Sequence, residues 1–145
     1  MKNTFVYQTE KSIIKLLQIT DPHLFKEKET ALLGVNTQAS FTQVLKEIQQ
    51  ENNTFDIVLA TGDLVQDGSD EGYRRFVEMV TPLNKPIFWI PGNHDFQPKM
   101  VEHLNKTPME SAKHLLLGKY WQVLLLDSQV YGVPHGQLSQ HQLNL

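Results

Sequence analysis

Three clusters of polar residues, each directly after an apolar stretch, contain the side chains best suited to chemistry. They are Asp21 and His23, then Asp63, and then Asn93, His94 and Asp95. Such carboxylates, imidazoles and amide oxygens bind manganese, iron, magnesium or zinc rather than soft metals. The chain has no cysteine, which excludes thiolate metal sites and disulfides. The clusters predict one metal site, provided that the fold brings them together.

The apolar stretches before the clusters are predicted to be buried strands of one sheet. They lie at residues 13–20, 55–61 and 86–90, are rich in apolar and β-branched residues, and end at proline or glycine. Parallel strands present their C-terminal ends at one edge of a sheet. Each cluster alone also reads as an ordinary turn, but three clusters after three strands favour a shared site. Asp63, with two carboxylate oxygens, could bridge two ions.

Two amphipathic helices are predicted between these strands, one ending at residue 50 before Asn52 and Asn53, the other at residues 69–80. Their N-caps are expected to be Asn36 or Thr37 and Ser69 or Asp70. Their apolar faces follow helical spacing and consist of Phe41, Val44, Leu45 and Ile48, and of Tyr73, Phe76, Val77 and Val80. The β-α-β-α-β order predicts an α/β fold with a layered parallel sheet and helices packing on its faces.

The rest of the chain is predicted to connect and cover this core. It comprises a flexible lead-in at 1–11, a surface loop at 24–35 that could rim a pocket, a short helix at 99–105, a hairpin of 114–117 with 121–126, and a helix that starts near Ser139. A length of 145 residues suits one domain with its own core. We therefore expect residues 1–145 to form a single domain.

The charge and hydropathy of the chain narrow the class of partner. The net charge is −3 and no basic stripe is present, which disfavours nucleic-acid binding. No apolar run approaches the ~20 residues of a membrane span, and the N-terminus lacks a signal-peptide pattern. We expect a cytoplasmic protein that binds a small molecule. A mildly acidic chain that handles an anion needs local positive charge, which metal ions supply.

The clusters and their flanking runs resemble a known enzyme family. Asp21-x-His23, Gly62-Asp63 and the run 92–95 match the signature of the calcineurin-like metallophosphoesterases. Four longer runs are similar to the bacterial class III 3′,5′-cyclic-AMP phosphodiesterases, namely residues 32–37, 61–67, 91–98 and 126–136. The similarity extends over nearly the whole chain from about residue 13.

The resemblance implies a role for each cluster. Asp21, His23 and Asp63 would hold a first metal ion, and Asp63 would bridge to a second ion that also binds Asn93. The ions, iron or manganese, would present a bridging hydroxide to cAMP and yield 5′-AMP. His23, Asp63, Asn93 and His94 would contact the substrate, and His94 would act on the leaving oxygen. Asp95 would orient His94 or its loop without binding the metal.

The resemblance also implies histidine ligands from later strands, including a Gly-His-x-His motif, which this sequence lacks. We therefore expect an N-terminal portion of such an enzyme, with the C-terminal strands missing and a sheet edge open. No ligand role is predicted for His103 and His141, on helices, for His114, at a strand edge, or for His135, at a pocket rim. Two alternatives stay open: a metallophosphoesterase for other phosphodiesters or monoesters, and an inactive truncated product. The oligomeric state is not predicted.

Overall fold

Nine strands and four α-helices make up the structure, a computed structural model that describes residues 4–51 and 54–144. The strands are β1 (Thr4–Tyr7), β2 (Leu16–Ile19), β3 (Ala31–Leu32), β4 (Val35–Asn36), β5 (Ile57–Ala60), β6 (Ile87–Trp89), β7 (Met109–Glu110), β8 (His114–Leu117) and β9 (Trp121–Leu124). The helices are α1 (Thr37–Gln50), α2 (Asp70–Val80), α3 (Gln97–His103) and α4 (Gln140–Leu143), and a short 3-10 helix spans Thr81–Leu83.

The central sheet has the strand order β2-β5-β6-β7, and all its pairs are parallel. Its first three strands lie inside the ranges predicted from the sequence, and the β-α-β-α-β order is confirmed. The two-residue strand β7 was not predicted, because so short a segment has no readable periodicity. The sheet places the ends of β2, β5 and β6 next to one another.

A second sheet, of order β1-β8-β9, covers the opposite face of the central sheet from the helices. The predicted hairpin is confirmed, since β8 and β9 pair antiparallel. The prediction of a flexible lead-in over residues 1–11 is wrong for Thr4–Tyr7, which pair in parallel with His114–Leu117. The partner strand lies far away in sequence, so no local pattern reveals this pairing. Residues 1–3 lie outside the described residues.

Side chains of the central sheet alternate between two cores, as the pleat of a strand requires. In β5, Val58 and Ala60 pack with the helices, while Ile57 packs with the second sheet. In β6, Trp89 faces the helical side and Phe88 the second sheet. The sequence predicts helices on the sheet faces. In the structure, one face carries α1, α2 and α3, and the other carries strands.

The helix starts agree with the capping chemistry of the sequence. Asn36 accepts a hydrogen bond from the amide of Ala39 at 2.7 Å, and Ser69 accepts one from the amide of Gly72 at 3.3 Å. The third helix, predicted at 99–105, spans Gln97–His103. The predicted loop at 24–35 contains β3 and the first residue of β4, which form a small antiparallel hairpin. The predicted helix break at Asn52 and Asn53 lies outside the described residues.

Among the helices of the described segments, none combines the length and apolar character needed to cross a membrane.

Candidate metal centre

The loops after β2 and β5 lie side by side and bring Asp21, His23 and Asp63 together. The amide of Asp21 donates to the carbonyl of Gly62 at 3.1 Å, and the amide of His23 donates to the carbonyl of Asp63 at 3.0 Å. The amide of Leu24 then donates to the carbonyl of Leu64 at 3.0 Å. The parallel pairing of the two strands thus continues past their ends, which fixes the first two clusters against each other.

The imidazole of His23 lies close to carboxylate oxygens of both Asp21 and Asp63, and ligand atoms of His23, Asp63 and His94 all lie within 4.8 Å of one another. Nε2 of His23 lies 3.4 Å from Oδ1 of Asp21 and 3.9 Å from Oδ2 of Asp63. Ligands that share one ion at about 2.1 Å lie roughly 3.0–3.4 Å apart. The spacing fits a small divalent cation after a slight contraction around it, and the oxygen and imidazole donors suit the harder metals.

The backbone at all three residues is in the left-handed region. The φ angles are 55° at Asp21, 45° at His23 and 49° at Asp63. Among the described residues, five non-glycine positions have positive φ, and these are three of them. Residues other than glycine rarely adopt this backbone conformation. Where they do, the position is often part of a functional site, and contacts with the surrounding structure hold it. The interlocking loop hydrogen bonds provide those contacts.

The third loop, after β6, packs so closely on Asp63 that only glycine fits at the contact. A Cβ atom on Gly92 would lie 2.2 Å from Oδ1 of Asp63, and one on Gly62 would lie 2.6 Å from the amide nitrogen of Gly92. The amide of His94 donates to Oδ1 of Asp63 at 2.9 Å. Asp63 therefore has one oxygen held by the third loop and the other facing His23.

Asp95 is fully buried and fastens the second and third loops together. Its carboxylate accepts hydrogen bonds from the amides of Leu64, Val65 and Gly92, at 3.1, 3.2 and 2.9 Å, and from the hydroxyl of Tyr73 at 3.1 Å. Burial raises the pKa of Asp95, and these four donors partly offset that effect. The carboxylate of Asp95 therefore ties the loop after β5 to the loop after β6.

The side chain of Gln129 holds the third loop from the other side. Its Nε2 donates to the carbonyls of Gly92 and Asp95, each at 2.6 Å. Its own backbone amide donates to Asp127 at 2.9 Å. The segment after β9 therefore braces the loop that carries Asn93 and His94.

Asn93 and His94 lie at the surface of the site. Asn93 lines a cleft of about 260 Å³ together with Asp21 and Asp63, and the predicted pocket-rim residue His135 lines the same cleft. His94 is exposed, and its ring lies 5.4 Å from the ring of His23. Three of the four residues predicted as metal ligands, Asp21, Asp63 and Asn93, thus border one cleft, whereas His23 lines a cavity of about 510 Å³.

Sequence reasoning missed two glutamines that contact the third cluster. Gln129 holds the loop carbonyls, and Nε2 of Gln66 lies 3.0 Å from Nδ1 of His94. Both residues fall inside the family-like runs 61–67 and 126–136, which was the only signal available for them. Glutamine is so common on ordinary surfaces that nothing in its local sequence singles out a site contact.

Neither His103 nor the predicted rim segment at 24–35 lines this cleft. His103 lies on α3 and contacts Asp70 at 2.9 Å, and Lys99 reaches the same carboxyl group at 2.9 Å. These two partners lower the pKa of Asp70 to about 2. Their contacts with Asp70 join α3 to α2. The predicted rim segment at 24–35 borders a cavity of about 510 Å³ through Leu32 and Leu33.

Lys113 supports the base of the third loop and gives the fold a pH dependence. Its Nζ donates to the carbonyl of Trp89 and lies 3.6 Å from the centroid of the Trp89 ring. Burial lowers the pKa of Lys113 from 10.5 to about 8, and the charge of Asp127 partly opposes this. Between these values the unfolded chain binds more protons than the folded one, so stability rises with pH, by at most about 1.4 kcal/mol per pH unit.

We expect urea unfolding followed from pH 8 to about 9.5, below the ordinary tyrosine pKa, to show this rise in the free energy of unfolding. The Lys113→Met variant should show a flatter profile. An unchanged slope in the variant would contradict the role of Lys113.

Comparison with known proteins agrees with this geometry. Residues 14–145 match the profile of the calcineurin-like phosphoesterase family. The chain is 81% identical over 145 residues to the 3′,5′-cyclic adenosine monophosphate phosphodiesterase CpdA of Haemophilus influenzae, covering 100% of this chain and 53% of that protein. It is 51% identical over 130 residues to the Escherichia coli K12 protein of the same name, covering 90% of this chain and 47% of that protein.

The CpdA protein of Vibrio vulnificus is 46% identical over 143 residues, covering 99% of this chain and 52% of that protein. The chain thus spans about half the length of the curated relatives it matches. The family profile covers the three strand-end loops and everything between them. The chain therefore belongs to the calcineurin-like phosphoesterase family.

Proposed function

We propose that this chain is the N-terminal part of a metal-dependent phosphodiesterase that hydrolyses 3′,5′-cyclic AMP to 5′-AMP. The observation that carries the proposal is the closeness of His23 to carboxylate oxygens of both Asp21 and Asp63, with all three residues on a left-handed backbone. The family match adds the reaction class, and the names of the relatives supply the substrate. A cytoplasmic location remains the expectation for such an enzyme.

The donor set supports two metal ions. Asp21, His23 and Asp63 would hold the first, and Asp63 with Asn93 would hold part of the second, with iron or manganese as the proposed metals. When bound, such a pair supplies a water of lowered pKa and the charge that orients a phosphodiester for in-line attack. The chain contributes the fixed placement, because the loop hydrogen bonds position Asp21 and His23 against Asp63.

His94 is the residue proposed to act on the leaving group. During hydrolysis a water oxygen forms a new bond to phosphorus, and the bond from phosphorus to the 3′ oxygen breaks. The 3′ oxygen must gain a proton, and an imidazole placed beside it donates one or stabilises the developing charge. The exposure of the His94 ring and its distance of 5.4 Å from the ring of His23 support this proposal.

Replacing His94 with alanine should lower turnover of cAMP by about 100-fold or more while sparing the bound metal. The variant keeps all four proposed ligands, Asp21, His23, Asp63 and Asn93. A ring nitrogen of His94 lies within 4.8 Å of ligand atoms of His23 and Asp63, so metal content is the decisive measurement. Two quantities are measured for the variant and the unsubstituted protein: kcat on cAMP, and the metal content per chain by elemental analysis. Loss of metal from the variant would contradict the role proposed for His94.

The proposed function is tested directly in a form extended to the length of the relatives and loaded with manganese or iron. Rates on cAMP, on 2′,3′-cyclic nucleotides and on phosphomonoesters are compared. A preference for cAMP supports the proposal. A preference for another ester favours the alternative metallophosphoesterase, and a metal-loaded protein that leaves cAMP and model phosphodiesters intact refutes the proposal.

The 145-residue chain is tested separately from the extended form, because one alternative is that it is an inactive truncated product. An inactive truncated product would bind little metal, so metal content per chain is the discriminating measurement. A stoichiometry of two metals per 145-residue chain would refute that alternative.

A further inference from the structure

The loop after β9 forms part of the wall of the cleft that contains candidate metal ligands. Asp21, Asp63 and Asn93 line one part of this cleft of about 260 Å³, and the loop lines another part through residues 134–136. His135, predicted from the sequence to lie at a pocket rim, is the only aromatic side chain among the described residues that line the cleft. The cleft therefore has a part with candidate metal ligands and a part that carries one flat ring.

The backbone around His135 is held in place by its own segment and by the loop after β6. Gln129 and Gly136 pair as an isolated antiparallel bridge, and the amide of Gln137 donates to the carbonyl of Ser128 at 2.9 Å. The side chain of Gln129 donates in turn to two carbonyls of the loop after β6, each at 2.6 Å. His135 is therefore carried by a segment that is fastened to the loop after β6.

The side chain of His135 is available to contact a ligand. The residue is exposed, and its ring makes no hydrogen bond, ion pair or ring contact with the described part of the chain. A histidine ring can stack its face on a nucleobase, and this contact does not require the ring to gain or lose a proton.

The charges along the cleft determine which end of a nucleotide lies beside His135. The phosphate belongs at the candidate metal ligands, since metal ions supply the positive charge that an anion requires there. The other described residues of the loop that line the cleft carry no charge, and they are Ser128, Gln129, Pro134 and Gly136. This part of the cleft suits the uncharged nucleoside rather than the phosphate.

We propose that His135 is a specificity-determining residue that contacts the nucleoside part of the substrate with the face of its ring. The proposal rests on the proposed function, which assigns the phosphate to metal ions held near Asp21 and Asp63. In this role His135 neither binds metal nor transfers a proton. It favours nucleotides over phosphodiesters that lack a base.

Calorimetric titration with two probes tests the contact without a catalytic readout. In the extended form loaded with manganese, 5′-AMP and inorganic phosphate both offer a phosphate to the metal ions, but only 5′-AMP carries a nucleoside. His135→Ala should weaken binding of 5′-AMP by about 5- to 30-fold, in the lower part of the range for a base stacked on an aromatic ring. It should change binding of phosphate by less than about 2-fold. His135→Phe, which keeps a flat ring, should bind 5′-AMP within about 3-fold of the unsubstituted protein.

His141→Ala is the matched control, because His141 is also an exposed histidine but does not line the cleft. It should change the binding of neither probe. Steady-state rates give a second readout, in which His135→Ala should raise KM for cAMP while kcat changes by less than about 3-fold, because the contact is made equally before and during the reaction. Unchanged melting and metal content in His135→Ala keep misfolding out of the comparison.

Equal losses of affinity for 5′-AMP and for phosphate in His135→Ala would overturn the proposal, because they would show a general disturbance of the site. Undiminished binding of 5′-AMP by His135→Ala would overturn it as well. If the unsubstituted extended form leaves cAMP intact, the proposed function fails, whereas the two titrations still decide whether His135 contacts a nucleoside.

Discussion

Replacing Asp63 with alanine is expected to remove bound metal and turnover together in the extended form. Asp63 is buried, its Oδ2 faces Nε2 of His23 at 3.9 Å, and its Oδ1 accepts from the amide of His94 at 2.9 Å. The substitution removes a shared metal ligand and also releases the third loop. We expect kcat to fall by more than about 100-fold, beyond the usual effect of losing a supporting hydrogen bond.

Elemental analysis and steady-state rates measure this result. Asp70→Ala is the matched control, because Asp70 lies with Glu102 and His103 in a second group of carboxyl and imidazole side chains, separate from the group of His23, Asp63 and His94. Its partners are Lys99 and His103, so the control should retain metal and activity. An Asp63→Ala protein with full metal content would show that the ions bind elsewhere.

Replacing Asp95 with alanine should destabilise the fold by about 3 kcal/mol or more. The variant leaves the amides of Leu64, Val65 and Gly92 and the hydroxyl of Tyr73 without their buried acceptor. Removing one partner of a buried network costs the desolvation of every group left unpaired. The measurement is the free energy of unfolding in urea on the 145-residue chain, and the extended form should show weaker metal retention.

Tyr73→Phe provides the comparison, since it removes one of the four donors and leaves the carboxylate in place. We expect this substitution to lower the free energy of unfolding by about 1 kcal/mol. The Tyr73 hydroxyl also accepts from the amide of Phe96 at 2.8 Å, so the substitution removes that hydrogen bond as well. If Asp95→Ala proved no more costly than Tyr73→Phe, the network around Asp95 would not be what joins the two loops.

The parts of the fold that depend on local chemistry are predictable from the sequence. Asn36 and Ser69 cap α1 and α2 as their side chains predict, and the apolar stretches before the clusters became the parallel strands. The parts that depend on distant partners are not. Strand β1 was predicted as flexible because its partner, β8, lies near the other end of the chain, and β3 and β7 are too short to show a period.

The same division applies to the candidate site. Asp21, His23 and Asp63 could be selected because strand ends of a parallel sheet meet at one edge. Their ligand roles, with those of Asn93 and His94, remain predictions. Gln66 and Gln129 could not be selected, because their contacts arise only when separate loops are brought together in the folded chain.

The parallel pairing of β1 with β8 has a consequence for synthesis of the protein. Thr4 pairs with His114, so the first strand cannot find its place until about 110 further residues have left the ribosome, roughly 5–20 s at ordinary elongation rates. During that interval the inner face of the central sheet, including Ile57 and Phe88, lacks its cover. Closing so long a loop is slow because its entropy is lost before the contacts form. A nascent chain of this kind is a natural client for a chaperone that shields apolar surface.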